Sequence, residues 1–156
     1  MMKHLADAGS NRFLDSLPAA VRARVEPLAQ SKVFRPGQVL FCEGTAHNDV
    51  YLVTAGRVRL EMSVHGRGRL PLATVGPGDF VGWSPLLGDH PMTATATALE
   101  PVRTLAFDGR ALKALCEECH EVGYYVMRQI VVVLSERLLA TRLQLLDLFA
   151  DERRAG

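Results

Sequence analysis

The chain has 156 residues, the length of one ordinary domain, and 48% of them are hydrophobic, so it can bury a core and does not read as disordered. Its net charge of +1 shows neither the basic excess of a free-standing nucleic-acid binder nor that of an anionic-membrane binder. No run of about eighteen apolar residues could span a membrane, Met1–Gly9 lacks a signal-peptide core, and three cysteines fit a reducing compartment, so a cytoplasmic protein is expected.

Residues 1–10 are small and polar and are expected to be a flexible N-terminus. From Asn11 to Gln30 the apolar residues Phe13, Leu14, Leu17, Val21, Val25 and Leu28 recur at helical steps, with Pro18 suited to the first turn of a second short helix. The texture changes at Ser31. Val33-Phe34, Val39–Cys42, Val50–Thr54, Val58–Val64, Leu70–Val75, Thr93–Leu99 and Val102–Phe107 read as short strands, punctuated by glycine turns. Val58, Leu60, Met62 and Val64 alternate with polar residues, which predicts a half-buried strand. Gly66-Arg67-Gly68 makes a hairpin turn, and Cys42 is expected to face inward. The segment from 31 to 107 therefore predicts an antiparallel barrel or sandwich.

Asp108 can cap a helix beginning at Gly109. A longer helix is predicted from Glu121 to Ala150, free of proline. In it Met127, Val131, Leu134, Leu138, Thr141, Leu145 and Leu148 step by alternate fours and threes, the seam of a helix pair. Ile130, Val133 and Leu146 lie off that seam, so a second face is expected to pack on the barrel while the first meets a twin helix. Residues 151–156 are expected to be a solvated tail.

The stretch from Gly76 to Leu99 is the most informative. A strand ends at Gly82, and Trp83-Ser84-Pro85-Leu86-Leu87 can form one helical turn with Pro85 near its start. Such a turn presents unpaired backbone N–H groups to an anion. Thr93 can add a hydroxyl.

These landmarks resemble the cyclic-nucleotide-binding domains of the catabolite-activator and fumarate-nitrate-regulator superfamily. The resemblance covers about residues 12 to 149: Phe34–Gly44, the Tyr51–Val58 hairpin, and a phosphate cassette at Gly78 through Ala94. It implies an α+β fold: an antiparallel β-roll of the jelly-roll type, with N-terminal helices and a long C-terminal dimerisation helix. It also implies an anion site at Gly82, Trp83, Ser84, Thr93 and Ala94. Thr141 and Arg142 on the long helix would then cover the ligand. The cassette departs from the pattern of cyclic-AMP binders at two positions. Their Gly-Glu is here Gly82-Trp83, and the Arg that precedes their Ser/Thr-Ala is replaced by Pro91-Met92. Loss of one buried charge-assisted contact costs about 2–5 kcal/mol, so ordinary cyclic-AMP binding is not expected.

Trp83 reads equally as a plug filling the ligand space and as a stacking platform. Thr141 is either a tolerated seam residue or a ligand contact. Cys116-Glu117-Glu118-Cys119 has a metal-ligand spacing but no second cysteine pair, and no metal site is expected. His47 and His90 sit in predicted loops near the pocket mouth, where surface positions are expected and haem ligation is not. No nucleophile–base pair or carboxylate pair marks an enzyme.

The sequence thus predicts a stand-alone ligand-sensing regulatory domain with no resident cofactor. Its effector would be a cyclic nucleotide or another small anion. It would dimerise through Met127, Val131, Leu134, Leu138, Leu145 and Leu148, signal to a protein partner and touch neither nucleic acid nor membrane. Six residues after Ala150 are too few for a helix-turn-helix. Two alternatives stay open: the sensory part of a transcription regulator, and a non-binding scaffold whose pocket Trp83 and Met92 fill.

Overall fold

The computed structural model describes residues 12–154. The expected flexible segment 1–10 and the last two positions of the expected tail lie outside the described residues. Helices α1 (Arg12–Ser16) and α2 (Ala19–Val25) and a 3-10 turn (Glu26–Leu28) lead into eight strands. These are β1 (Ala29–Phe34), β2 (Val39–Phe41), β3 (Asp49–Ala55), β4 (Val58–Val64), β5 (Gly68–Val75), β6 (Phe80–Val81), β7 (Thr95–Ala98) and β8 (Val102–Asp108). One short helix, α3 (Ser84–Leu87), interrupts them, and α4 (Gly109–Glu118) and α5 (His120–Arg154) follow.

The helical pattern expected through Gln30 is cut by two prolines. Pro18 precedes α2, and Pro27 opens the 3-10 turn, after which the chain is already extended at Ala29. A proline in a helix interior has no N–H to donate and crowds the preceding turn, so the segment breaks where they stand.

The strands form two four-stranded antiparallel sheets, ordered β1-β8-β3-β6 and β2-β7-β4-β5. Their burial differs for a geometric reason. In the first sheet β3 sends Val50 and Leu52 to a core shared with the helices, and Tyr51 and Val53 into the roll. Both faces are covered, which is why Val50–Val53 reads as an unbroken apolar run. The second sheet buries one face only, and β4 alternates accordingly: Val58 and Leu60 are buried and Arg59 and Glu61 are not. The expected half-buried pattern stops there. Met62 and Val64 are exposed because the β4–β5 hairpin runs past the roll's packed interior. Cys42, expected to face inward, is exposed just past the end of β2.

Asp108 caps α4 as its sequence position suggests, its carboxylate accepting from the Ala111 N–H at 2.8 Å. Helix α5 is longer than expected at both ends and continues through Arg154, so Asp151–Arg154 are helical rather than an irregular tail. Its first half is anchored by Val122, Val126 and Ile130, buried against the roll and the other helices, and by Val133, buried beside the roll. Each such burial is worth roughly 1.5–3 kcal/mol. Beyond Val133 no residue of α5 is buried. Leu146, placed by its spacing on the roll-facing side, is 63% exposed, because the helix has by then passed the roll's edge. Among the described residues no helix is long and apolar enough to cross a membrane.

Candidate ligand pocket

The anion cassette folds as its glycines require. Gly82 follows β6 with φ of +74°, a conformation that disfavours side chains. A Cβ there would lie 3.1 Å from the Asp49 carbonyl oxygen and 3.1 Å from the Phe41 ring. The chain can therefore turn tightly over Phe41 only with glycine at this position. Trp83 then opens α3, with Pro85 near its start.

A pocket of about 430 Å³ lies between the roll and α5, within the usual range of roughly 300–1,000 Å³ for small-molecule sites. Gly82, Trp83, Ser84, Thr93, Ala94 and Thr141 all line it. The structure thus brings together the whole cassette and one of the two helix residues assigned to cover a ligand. Trp83 and Met92 both line the pocket, Met92 buried in the roll's core and Trp83 half-buried, and about 430 Å³ stays unfilled beside them.

Arg142, the other expected cover residue, does not line the pocket; Arg137 does. The physical reason is rotation. Five residues along a helix turn about 140° beyond a full turn, so positions 137 and 142 face different sides. Arg137 precedes Thr141 by four residues and shares its face, and the Thr141 hydroxyl donates to the Arg137 carbonyl at 2.9 Å. That i, i+4 relation was the signal available in the sequence.

Arg137 brings to the pocket a cation that the cassette itself lacks. Its guanidinium carbon lies 4.5 Å from the centroid of the Trp83 ring. Nη2 donates to the Phe80 carbonyl at 3.1 Å, while Nε is buried and has no hydrogen-bond partner. Burial pushes its pKa down, and the negative charge of Asp79, also in the pocket wall, opposes that shift. Asp79 is fixed by the Gly76 N–H, which donates to it at 2.9 Å. A buried cationic donor left unpaired costs roughly 1–3 kcal/mol or more. An anion in the pocket would recover that cost. The remaining lining is mainly apolar, including Phe41, Leu60, Val81 and Val133.

The other sequence candidates lie elsewhere. His47 lies beneath the pocket floor, 5.6 Å from the Phe41 ring and hydrogen-bonded to the Tyr51 hydroxyl at 3.1 Å. His90 is exposed and does not line the pocket. Cys116 and Cys119 sit at the joint of α4 and α5, and burial pushes the Cys116 thiol up to about 11, which keeps it protonated and unreactive. The seam residues Val131, Leu134, Leu138, Leu145 and Leu148 are 39–63% exposed on the single chain, and Met127 is half-buried.

Residues 31–119 match the family described as cyclic nucleotide-binding domain. The chain is 31% identical over 136 residues to the CRP-like cAMP-activated global transcriptional regulator of Mycobacterium tuberculosis. That alignment covers 86% of this chain and 58% of the regulator, so the chain spans little more than half the length of this relative. Among solved structures, the N-terminal domain of a transcriptional regulator from Streptomyces coelicolor superposes with a TM-score of 0.65 at 29% identity, covering 84% of this chain and 92% of that one. The Thermus thermophilus catabolite activator protein gives a TM-score of 0.68 at 27% identity, covering 88% of this chain and 62% of that one.

Proposed function

The chain belongs to the cyclic nucleotide-binding domain family, and from that premise we propose that it is a ligand-sensing regulatory domain whose effector is a small anion held by Arg137 rather than by a cassette arginine. The observation that carries this reading is the buried, unpaired Nε of Arg137 in an otherwise mainly apolar pocket. Backbone N–H groups at the Gly82–Ser84 turn and the hydroxyls of Ser84 and Thr93 supply further donors. Trp83 gives a planar ligand a stacking surface. With Trp83 in place of the glutamate that receives a ribose hydroxyl, the usual cyclic-AMP contacts are replaced, and the effector is a different anionic molecule or a cyclic nucleotide bound in a different pose.

The ligand bridges the roll and α5, so its differential affinity for two placements of α5 is the signal. The exposed seam passes that change to a twin helix in a homodimer and on to a protein partner, in the cytoplasm. Titration calorimetry with cyclic AMP, cyclic GMP and cyclic dinucleotides, on the wild type and Arg137→Gln, tests the reading. Binding of at least one anionic ligand that weakens tenfold or more in Arg137→Gln is the expected result. Micromolar cyclic-AMP binding indifferent to that substitution refutes it.

A second reading, the sensory part of a transcription regulator, is favoured by the match to the mycobacterial and Streptomyces regulators. Reading the gene past Gly156 for a helix-turn-helix decides between the two.

A further inference from the structure

A second cavity of about 320 Å³ lies between α1 and α5, lined by Arg12, Phe13, Ser16, Tyr125, Arg128, Gln129 and Val132. It shares no lining residue with the first pocket. Arg12 and Arg128 both line it, and among the described residues no carboxylate does. Among the described residues neither Arg12 nor Arg128 forms an ion pair, and Asp15, on the same helix as Arg12, is engaged with Arg22 at 3.2 Å. Like charges gathered at one cleft repel, and an anion between them removes that repulsion.

We propose that this cleft is a second binding site, for the phosphoryl group of a small phosphorylated molecule, and that it acts on the first pocket. Two planar guanidinium forks match the tetrahedral oxyanion of a phosphate, with several donors for several oxygens. Tyr125 also lines the cleft. The Ser16 hydroxyl already donates to the Phe13 carbonyl at 2.7 Å and is left as an acceptor.

The connection to the first pocket runs through two contacts. Gln129 donates from Nε2 to the Gly78 carbonyl at 3.3 Å, next to Asp79 in the wall of the first pocket. Phe13 packs edge-on against Phe80, with ring centroids 5.0 Å apart, and the Phe80 carbonyl is the acceptor for Arg137. Filling the second cleft therefore bears on the segment Gly78–Phe80, which holds Arg137 in place. The second cleft lies nearer the start of α5 than the first pocket, and none of its lining residues belongs to the seam.

The test uses the whole chain, with inorganic phosphate and pyrophosphate as probes in calorimetric titrations at constant ionic strength, and with the fluorescence of Trp83 followed in parallel. Because a small anion can also enter the first pocket, each measurement is repeated in Arg137→Gln. Saturable pyrophosphate binding that persists in Arg137→Gln is expected. It should weaken roughly tenfold for Arg12→Gln or Arg128→Gln alone and about a hundredfold for both. The same pyrophosphate should shift Trp83 emission in the wild type and not in the double variant. Arg110→Gln, an exposed arginine on α4, serves as the control and should change nothing. Binding unaffected by the double substitution, or no saturable binding to the wild type, overturns the site. A site that binds pyrophosphate without moving Trp83 emission overturns its coupling to the first pocket.

Discussion

The Arg137 guanidinium rests over the Trp83 indole at 4.5 Å from the ring centroid. The contact joins α5 to the turn after β6, the two elements that a ligand would bridge. A partly desolvated cation–aromatic pair contributes roughly 0.5–2 kcal/mol, enough to hold the charge inside the pocket without neutralising it. Trp83 is the only tryptophan of the chain, so its emission reports directly on this contact.

Replacing Arg137 should separate stability from binding. The wild type carries a half-buried cation whose Nε is buried and unpaired among the described residues, and exchanging a desolvated charge for an apolar side chain of similar length is often neutral or stabilising. Arg137→Met is therefore expected to match or exceed the wild type in urea denaturation, by up to about 1–2 kcal/mol. Its Trp83 emission should change, and its affinity for an anionic effector should fall at least tenfold. A variant that unfolds more easily, with binding intact, would show the arginine to be structural.

The proposed dimer uses the exposed far half of α5. Leu138 and Leu145 are 52% and 49% exposed and do not line the pocket. Leu138→Glu with Leu145→Glu should yield monomers in sedimentation velocity with an unchanged thermal transition of the roll. Dimers that survive both charges place the interface elsewhere.

Two glycines with the same backbone hand should respond differently to alanine. Gly37 has φ of +83° and open space around its missing Cβ, so Gly37→Ala should cost about 1–2 kcal/mol, the left-handed penalty alone. Gly82 adds crowding at 3.1 Å from backbone and from the Phe41 ring. Gly82→Ala should cost about 1–3 kcal/mol more and should also reduce ligand affinity, read by urea denaturation and calorimetry.

Stability should fall on both sides of neutrality because of one hydrogen-bonded pair. Burial pushes the pKa of His47 below its ordinary value of 6.5. Below about pH 6.5 the unfolded chain gains a proton that the folded chain refuses, so stability drops as pH falls. Burial, helped by the charge and hydrogen bond of Asp49, pushes Tyr51 up to about 12. Between about pH 10 and 12 the unfolded chain loses a proton that the folded chain keeps, so stability drops as pH rises. Urea midpoints across pH should show His47→Gln flattening the acid limb and Tyr51→Phe flattening the alkaline one.

Much of this protein is local and therefore legible in the chain itself. Glycine turns and two-residue alternation mark the strands. The carboxylate of Asp108 marks a helix start, and fours and threes mark the seam, because each depends on residues within a turn or two of one another. The cassette from Gly82 to Ala94 is equally local, and its losses at Trp83 and Met92 are visible by inspection. What the tertiary structure alone decided is what replaces those losses. The cation of the pocket comes from Arg137, more than fifty residues downstream of Trp83, and its direction depends on how a 35-residue helix is rotated over the roll. That rotation is set by Val122, Val126 and Ile130 finding their places in a core shared by distant strands and helices. No local pattern contains this information, because one step along a helix turns a side chain by about 100°, and only packing chooses which arginine faces the pocket.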